Sequence, residues 1–101
     1  MSAQLRLPAY VDHIEEAAIE FDRRNPRVYR LFADYALRAR RRGKVLGAKA
    51  IWERLRWDLE VESDEESPKL NNSHVSVFAR WAARDHDELR GYFRFRLRTA
   101  R

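Results

Sequence analysis

Asn25-Pro26 sets a capping residue directly before a proline at a first helical position, and Val28, Leu31, Phe32, Tyr35 and Ala39 then recur at helical spacing up to Gly43. That pattern predicts an amphipathic helix with one apolar stripe. Upstream, Pro8 followed by Val11, Ile14, Ala18 and Phe21 predicts another, ending near Asp22, with Asp12, Glu15, Glu16 and Glu20 on its wet face.

Beyond Gly43-Lys44-Val45-Leu46-Gly47, a shorter third helix is marked by Ile51, Trp52 and Leu55, with Arg54 and Arg56 turned outward. Its end has two readings. Trp57, Leu59 and Val61 alternate with Asp58, Glu60 and Glu62, a strand period, while Ile51, Leu55 and Leu59 also sit at i, i+4 and i+8 of a continuing helix. Val61 running into Ser63-Asp64-Glu65-Glu66-Ser67-Pro68 favours a helix to about Trp57 and a strand after it. Asn71, Asn72 and Ser73 then offer N-caps for a fourth helix from about Ser73 to Arg84, carrying Val75, Phe78, Ala79 and Ala82, and Gly91 breaks it off.

The tail Phe93-Arg94-Phe95-Arg96-Leu97-Arg98 alternates apolar and basic residues with period two, the pattern of a half-buried strand. Asp58, Glu60 and Glu62 would face Arg94, Arg96 and Arg98 across a pair of strands, each cross-strand ion pair contributing roughly 0.2–1 kcal/mol. The expected fold is therefore mainly α, about four helices with a small C-terminal two-stranded β-ribbon. It is helix-turn-helix-like or winged-helix-like in outline and forms a single domain over residues 1–101.

A chain of 101 residues holds one core and leaves no room for a deep substrate cleft besides. It has no cysteine, so disulfides and thiolate metal sites are excluded and stability must come from packing. No stretch approaches the roughly 20 apolar residues that span a bilayer, and no apolar leader opens the chain, so a soluble cytoplasmic protein is expected.

Charge is sharply partitioned. Residues 38–56 carry eight Lys or Arg against one Glu, whereas residues 57–66 carry six acids and no base, in a chain of net charge +5. Arg38, Arg40, Arg41, Arg42 and Lys44, continued by Lys49, Arg54 and Arg56, make a candidate surface for DNA phosphates, because neutralising phosphates releases condensed counterions. Cations in the last turn of a helix are also favoured by the macrodipole, which explains part of the cluster without any ligand. The polar N-terminal end of the fourth helix is a candidate for reading bases through Asn72, Ser76 and Arg80, although capping accounts equally well for the Asn and Ser residues there. The Arg face of the tail fits either a groove-inserting wing or the acidic strand. Trp52, Trp57 and Trp81, with Tyr10, Tyr29, Tyr35 and Tyr92, are stacking platforms if exposed and core if not, and Tyr92 is the one expected outside.

Catalysis is not expected. His13, His74 and His86 form no metal-binding spacing, there is no G-x-S-x-G and no phosphate-cradling glycine loop, and the adjacent acids Glu15-Glu16 and Asp64-Glu65-Glu66 read as solubilising. No cofactor is called for.

The stretches Phe21-Asp22-Arg23-Arg24-Asn25-Pro26 to Val28-Tyr29-Arg30-Leu31-Phe32, Ala50-Ile51-Trp52-Glu53-Arg54-Leu55-Arg56-Trp57, Lys69-Leu70-Asn71-Asn72, Ala79-Arg80 and Gly91-Tyr92-Phe93-Arg94-Phe95-Arg96 resemble a group of small phage- and prophage-encoded proteins of uncharacterised function. The resemblance implies a phage or prophage origin and a bacterial cytoplasmic setting, and it transfers no functional residue. The expected partner is double-stranded DNA. The alternative is a host protein, docked through the same arginines with Tyr92 or Trp52 as anchor. Neither a membrane nor a small-molecule substrate is expected, and the chain should be a monomer or small homo-oligomer. The acidic segment is either a spacer or a patch that mimics DNA.

Overall fold

The structure is a computed structural model that describes residues 9–93, with side chains from His13 onward. Four α-helices follow in order: α1 (Ala9–Arg24), α2 (Pro26–Arg41), α3 (Ala48–Trp57) and α4 (Val75–Asp85). One π-helical segment (Asp58–Glu62) prolongs α3, and single 3-10 turns stand before α4 (Asn72–His74) and after it (Asp87–Leu89).

Helix α2 is the central element, packed against α1, α3 and α4. Its Val28, Phe32, Ala33, Ala36 and Leu37 are buried, so Val28 and Phe32 of the expected stripe lie in the core while Leu31, Tyr35 and Ala39 are only partly buried at its margin. Phe78 of α4 is the hub of the core: its ring lies 6.1 Å from Phe32, 5.3 Å from Trp52, 5.5 Å from Tyr29 and 5.2 Å from Trp81. Phe32, Trp52, Leu55, Val77, Phe78 and Leu89 are fully buried, and each contributes roughly 1.5–3 kcal/mol of burial.

Asn25 occupies the N-cap position of α2 yet caps nothing there with its side chain. Its Nδ2 instead donates to the Phe21 carbonyl at 3.1 Å, and its own backbone amide donates to the same oxygen at 2.8 Å. The residue thus closes α1 and turns the chain, while Pro26 begins the next helix without needing an amide partner.

The two-stranded ribbon is not formed. Among the described residues there is no strand, and residues 58–62, read as strand from their alternation, continue α3 as a π-helical turn. Leu59 is 8% exposed while Trp57 and Val61 are 53% and 57% exposed, so the three do not share a face as they would in a strand. The helical spacing of Ile51, Leu55 and Leu59 prevails because all three are buried in one core cluster. Asp58 reinforces it, receiving Arg54 Nε from one turn back at 3.2 Å and the Tyr35 hydroxyl of α2 at 2.6 Å. Of the partner strand expected over 93–98, residues 94–98 lie outside the described residues; Phe93, its first residue, is stacked on Phe32 at 6.0 Å in a bend. The helical class stands, with no wing among the described residues.

Candidate nucleic-acid interface

The basic segment begins where α2 ends. Gly43 adopts φ +72°, its amide donates to the Arg40 carbonyl at 3.0 Å, and the Lys44 amide donates to the Ala39 carbonyl at 2.9 Å. That pair of bonds is a Schellman closure, which satisfies the last carbonyls of α2 and needs a left-handed residue where glycine stands. From there Lys44, Val45 and Leu46 cross to Gly47, the N-cap of α3.

Tyr92 fixes this crossing from outside the segment. Its hydroxyl donates to the Lys44 carbonyl at 2.6 Å and accepts the Leu46 amide at 3.0 Å. The residue expected to be the exposed aromatic is half-buried and holds the turn, and Trp52, the other expected anchor, is fully buried. Trp81 is partly buried against Phe78 and Tyr29, which leaves Trp57 as the exposed tryptophan, its indole donating to Glu62 at 3.0 Å. No spacing rule links Tyr92 to Lys44 across 48 residues, so the clamp was not readable from the sequence.

Ten of the eleven candidate residues divide into two groups, and the eleventh, Ser76, is exposed near the start of α4. Arg41 is committed to Glu88, with Nε 3.1 Å from both carboxylate oxygens, and this pairing holds the Glu88 carboxyl below the usual carboxylate range. Arg54 is bonded to Asp58, whose carboxyl is lowered first by the Tyr35 hydroxyl and then by Arg54; the Tyr35 phenol is raised, chiefly by burial and then by Asp58. Arg56 is partly buried and reaches Glu53 at 3.0 Å, the Leu70 carbonyl at 3.1 Å and Asn72 Oδ1 at 2.6 Å. Asn72, though exposed, is thereby engaged by a side chain of the same molecule, and Arg80 is paired with Glu15 of α1 at 2.8 Å. Asn71, one of the three expected N-cap residues, caps the turn before α4, accepting from the Ser73 amide at 2.9 Å.

Arg40, Arg42, Lys44 and Lys49 form the second group, exposed and without an ion-pair partner among the described residues. Arg38 joins them, its guanidinium lying 5.2 Å from the centre of the Tyr35 ring. These five gather at the end of α2, the clamped turn and the start of α3. Lys49 and Arg56 are separated by about 10 Å along α3, and the base-reading candidates Asn72, Ser76 and Arg80 sit on or before α4 instead of beside the turn.

Two concavities lie elsewhere among the described residues. A cleft of about 300 Å³ between the α1–α2 junction and residues 63–68 sets Arg24, Arg27 and Arg30 against Glu65 and Glu66, with Arg27 and Glu65 at 3.4 Å. A shallower one of about 400 Å³ is lined by Arg56, Lys69, Leu70, Asn71 and Asn72. No helix among the described residues is long and apolar enough to cross a membrane. Comparison with protein-family models, with curated proteins and with solved structures finds no match to this chain.

Proposed function

We propose that the protein binds double-stranded DNA through its phosphates, using Arg38, Arg40, Arg42, Lys44 and Lys49. The observation that carries this reading is the gathering of four exposed, unpaired cations at and on either side of one clamped turn, where the other basic side chains among the described residues are largely paired to acids. The helix macrodipole accounts for Arg40 and Arg42 at the end of α2, at roughly 0.3–1 kcal/mol each, but not for Lys49. Lys49 stands in the first turn of α3, a turn that holds no acid and where a positive charge opposes the dipole. A bound phosphate would reverse that penalty.

Phosphate contact without base contact predicts sequence-independent binding. The readout is fluorescence anisotropy of a labelled random duplex across salt concentrations. Five neutralised phosphates give a slope of log affinity on log salt of about −4.5, and R40E/R42E/K44E abolishes binding with the thermal transition nearly unchanged. R80Q, which breaks a pair between α1 and α4 away from the turn, leaves affinity unchanged. Flat anisotropy at low salt overturns the proposal. Docking on a host protein is the competing reading, and the exposure of Val45 and Leu46 within the same turn is what favours a protein partner.

A further inference from the structure

The two charged ends of α3 match each other in more than sign. At the basic end, Val45 is 79% and Leu46 43% exposed, amid the unpaired Arg40, Arg42, Lys44 and Lys49. At the acidic end, Trp57 and Val61 stand together one turn apart, both more than half exposed, amid Asp58, Glu60, Glu62, Asp64, Glu65 and Glu66. Of these acids, Asp58, Glu62 and Glu65 are bonded within the chain, whereas Glu60, Asp64 and Glu66 have no ion-pair partner among the described residues. Each end is thus a small apolar centre rimmed by unsatisfied charge of one sign, the layout of a protein docking surface.

We infer that the protein associates with further copies of itself head to tail, the Val45/Leu46 end of one protomer seating on the Trp57/Val61 end of the next. The two ends cannot meet within one chain, because residues 48–62 hold them roughly 20 Å apart along a continuous helical rod. Nor does either end pair with its own kind, since a two-fold contact would set like charges against each other. A surface complementary to a different surface of the same molecule makes a heterologous contact, which leaves an open end on every assembly and grows. This inference goes beyond DNA binding and is measured with no DNA present, so either reading can fail alone; because both use the basic end, duplex DNA would compete with the neighbouring copy.

Sedimentation equilibrium of the full chain tests it. At about 0.01 M salt, where charges interact over roughly 30 Å, the weight-average mass should rise with concentration past two protomers; at about 1 M salt it should fall toward 12.1 kDa. V45D/L46D blocks one end and W57K/V61K the other, so each alone should be monomeric, and an equal mixture should form a two-protomer species that grows no further. All four side chains are exposed, and far-ultraviolet circular dichroism checks that both variants fold. A charge-only pair serves as a second route: R42E/K44E and E60K/D64K each associate poorly alone, and mixing them restores growth. A monomer at low salt overturns the inference, as does a wild-type assembly that stops at two. Association retained by V45D/L46D also overturns it and assigns the acidic end to another basic segment, residues 94–98 among them.

Discussion

Tyr92 holds Lys44 by a hydroxyl-to-carbonyl bond of 2.6 Å, and through the same oxygen it takes the Leu46 amide, so a residue near the end of the described chain sets the course of the basic turn. Tyr92→Phe keeps the ring contact with Phe93 and removes only these two bonds. The turn is exposed and water replaces part of what is lost, so the expected cost is about 0.5–1.5 kcal/mol, read as a lower denaturant midpoint at unchanged slope. The sharper readout is hydrogen exchange: the Leu46 amide should lose protection while amides in the middle of α2 keep theirs. Equal loss in both places would mean that Tyr92 supports the core in general and not this turn.

Leu59 and Val61 separate the π-helical turn from the strand that alternation suggests. Leu59→Ala should cost about 2–5 kcal/mol, because its side chain is buried in the cluster with Ile51 and Leu55, whereas Val61→Ala should stay within about 0.5 kcal/mol. In a strand the two residues would share a face and cost alike. Chemical denaturation of the two variants side by side decides it.

The reading of residues 57–62 shows where sequence pattern stops being sufficient. Alternation and helical spacing were both present over the same residues, and only the tertiary contacts of Leu59 with the core and of Asp58 with Tyr35 select between them. The long helices were legible because Val28, Leu31, Phe32, Tyr35 and Ala39 recur at helical spacing over several turns, more than a competing period can imitate. The basic cluster was legible as a count of charges. Which of its members are free was not, since Arg41 is neutralised by Glu88 from 47 residues away and Arg56 by a network that includes Asn72. Spacing says nothing about such distant partners.

His74 lies buried between the rings of Phe21 at 5.2 Å and Phe78 at 6.3 Å, and neither of its nitrogens has a hydrogen-bond partner among the described residues. Burial pushes its imidazole below the ordinary histidine range. The unfolded chain therefore binds a proton at this position below about pH 6.5 that the folded chain resists, so stability is complete above that pH and falls as the solution is acidified through it. Melting curves at about pH 7.5 and about pH 5.5 should differ, and His74→Phe should remove most of the difference. A His74→Phe variant with the full acid sensitivity of the wild type would place the titrating group elsewhere.

Gly43 and Gly47 bound the basic turn, and alanine should cost stability at Gly43 but little at Gly47. A Cβ at either position would meet no atom within 4 Å, so crowding does not distinguish them. Backbone conformation does. Gly43 sits at φ +72° in the Schellman closure, where a side chain costs roughly 1–2 kcal/mol, and Gly43→Ala should lower the midpoint accordingly. Gly47 sits at φ −72° and ψ 157°, an extended conformation open to any residue. Gly47→Ala there restricts the unfolded chain, a gain of about 0.4–1 kcal/mol, which is offset by a loss of similar size because alanine is a much poorer N-cap than glycine. Gly47→Ser avoids that offset by supplying a capping hydroxyl to α3, and should be the most stable of the three variants. Thermal unfolding of the set should place Gly47→Ser above the wild type and the wild type above Gly43→Ala. A Gly43→Ala variant as stable as the wild type would show that α2 ends without the left-handed residue on which the Schellman bonds depend.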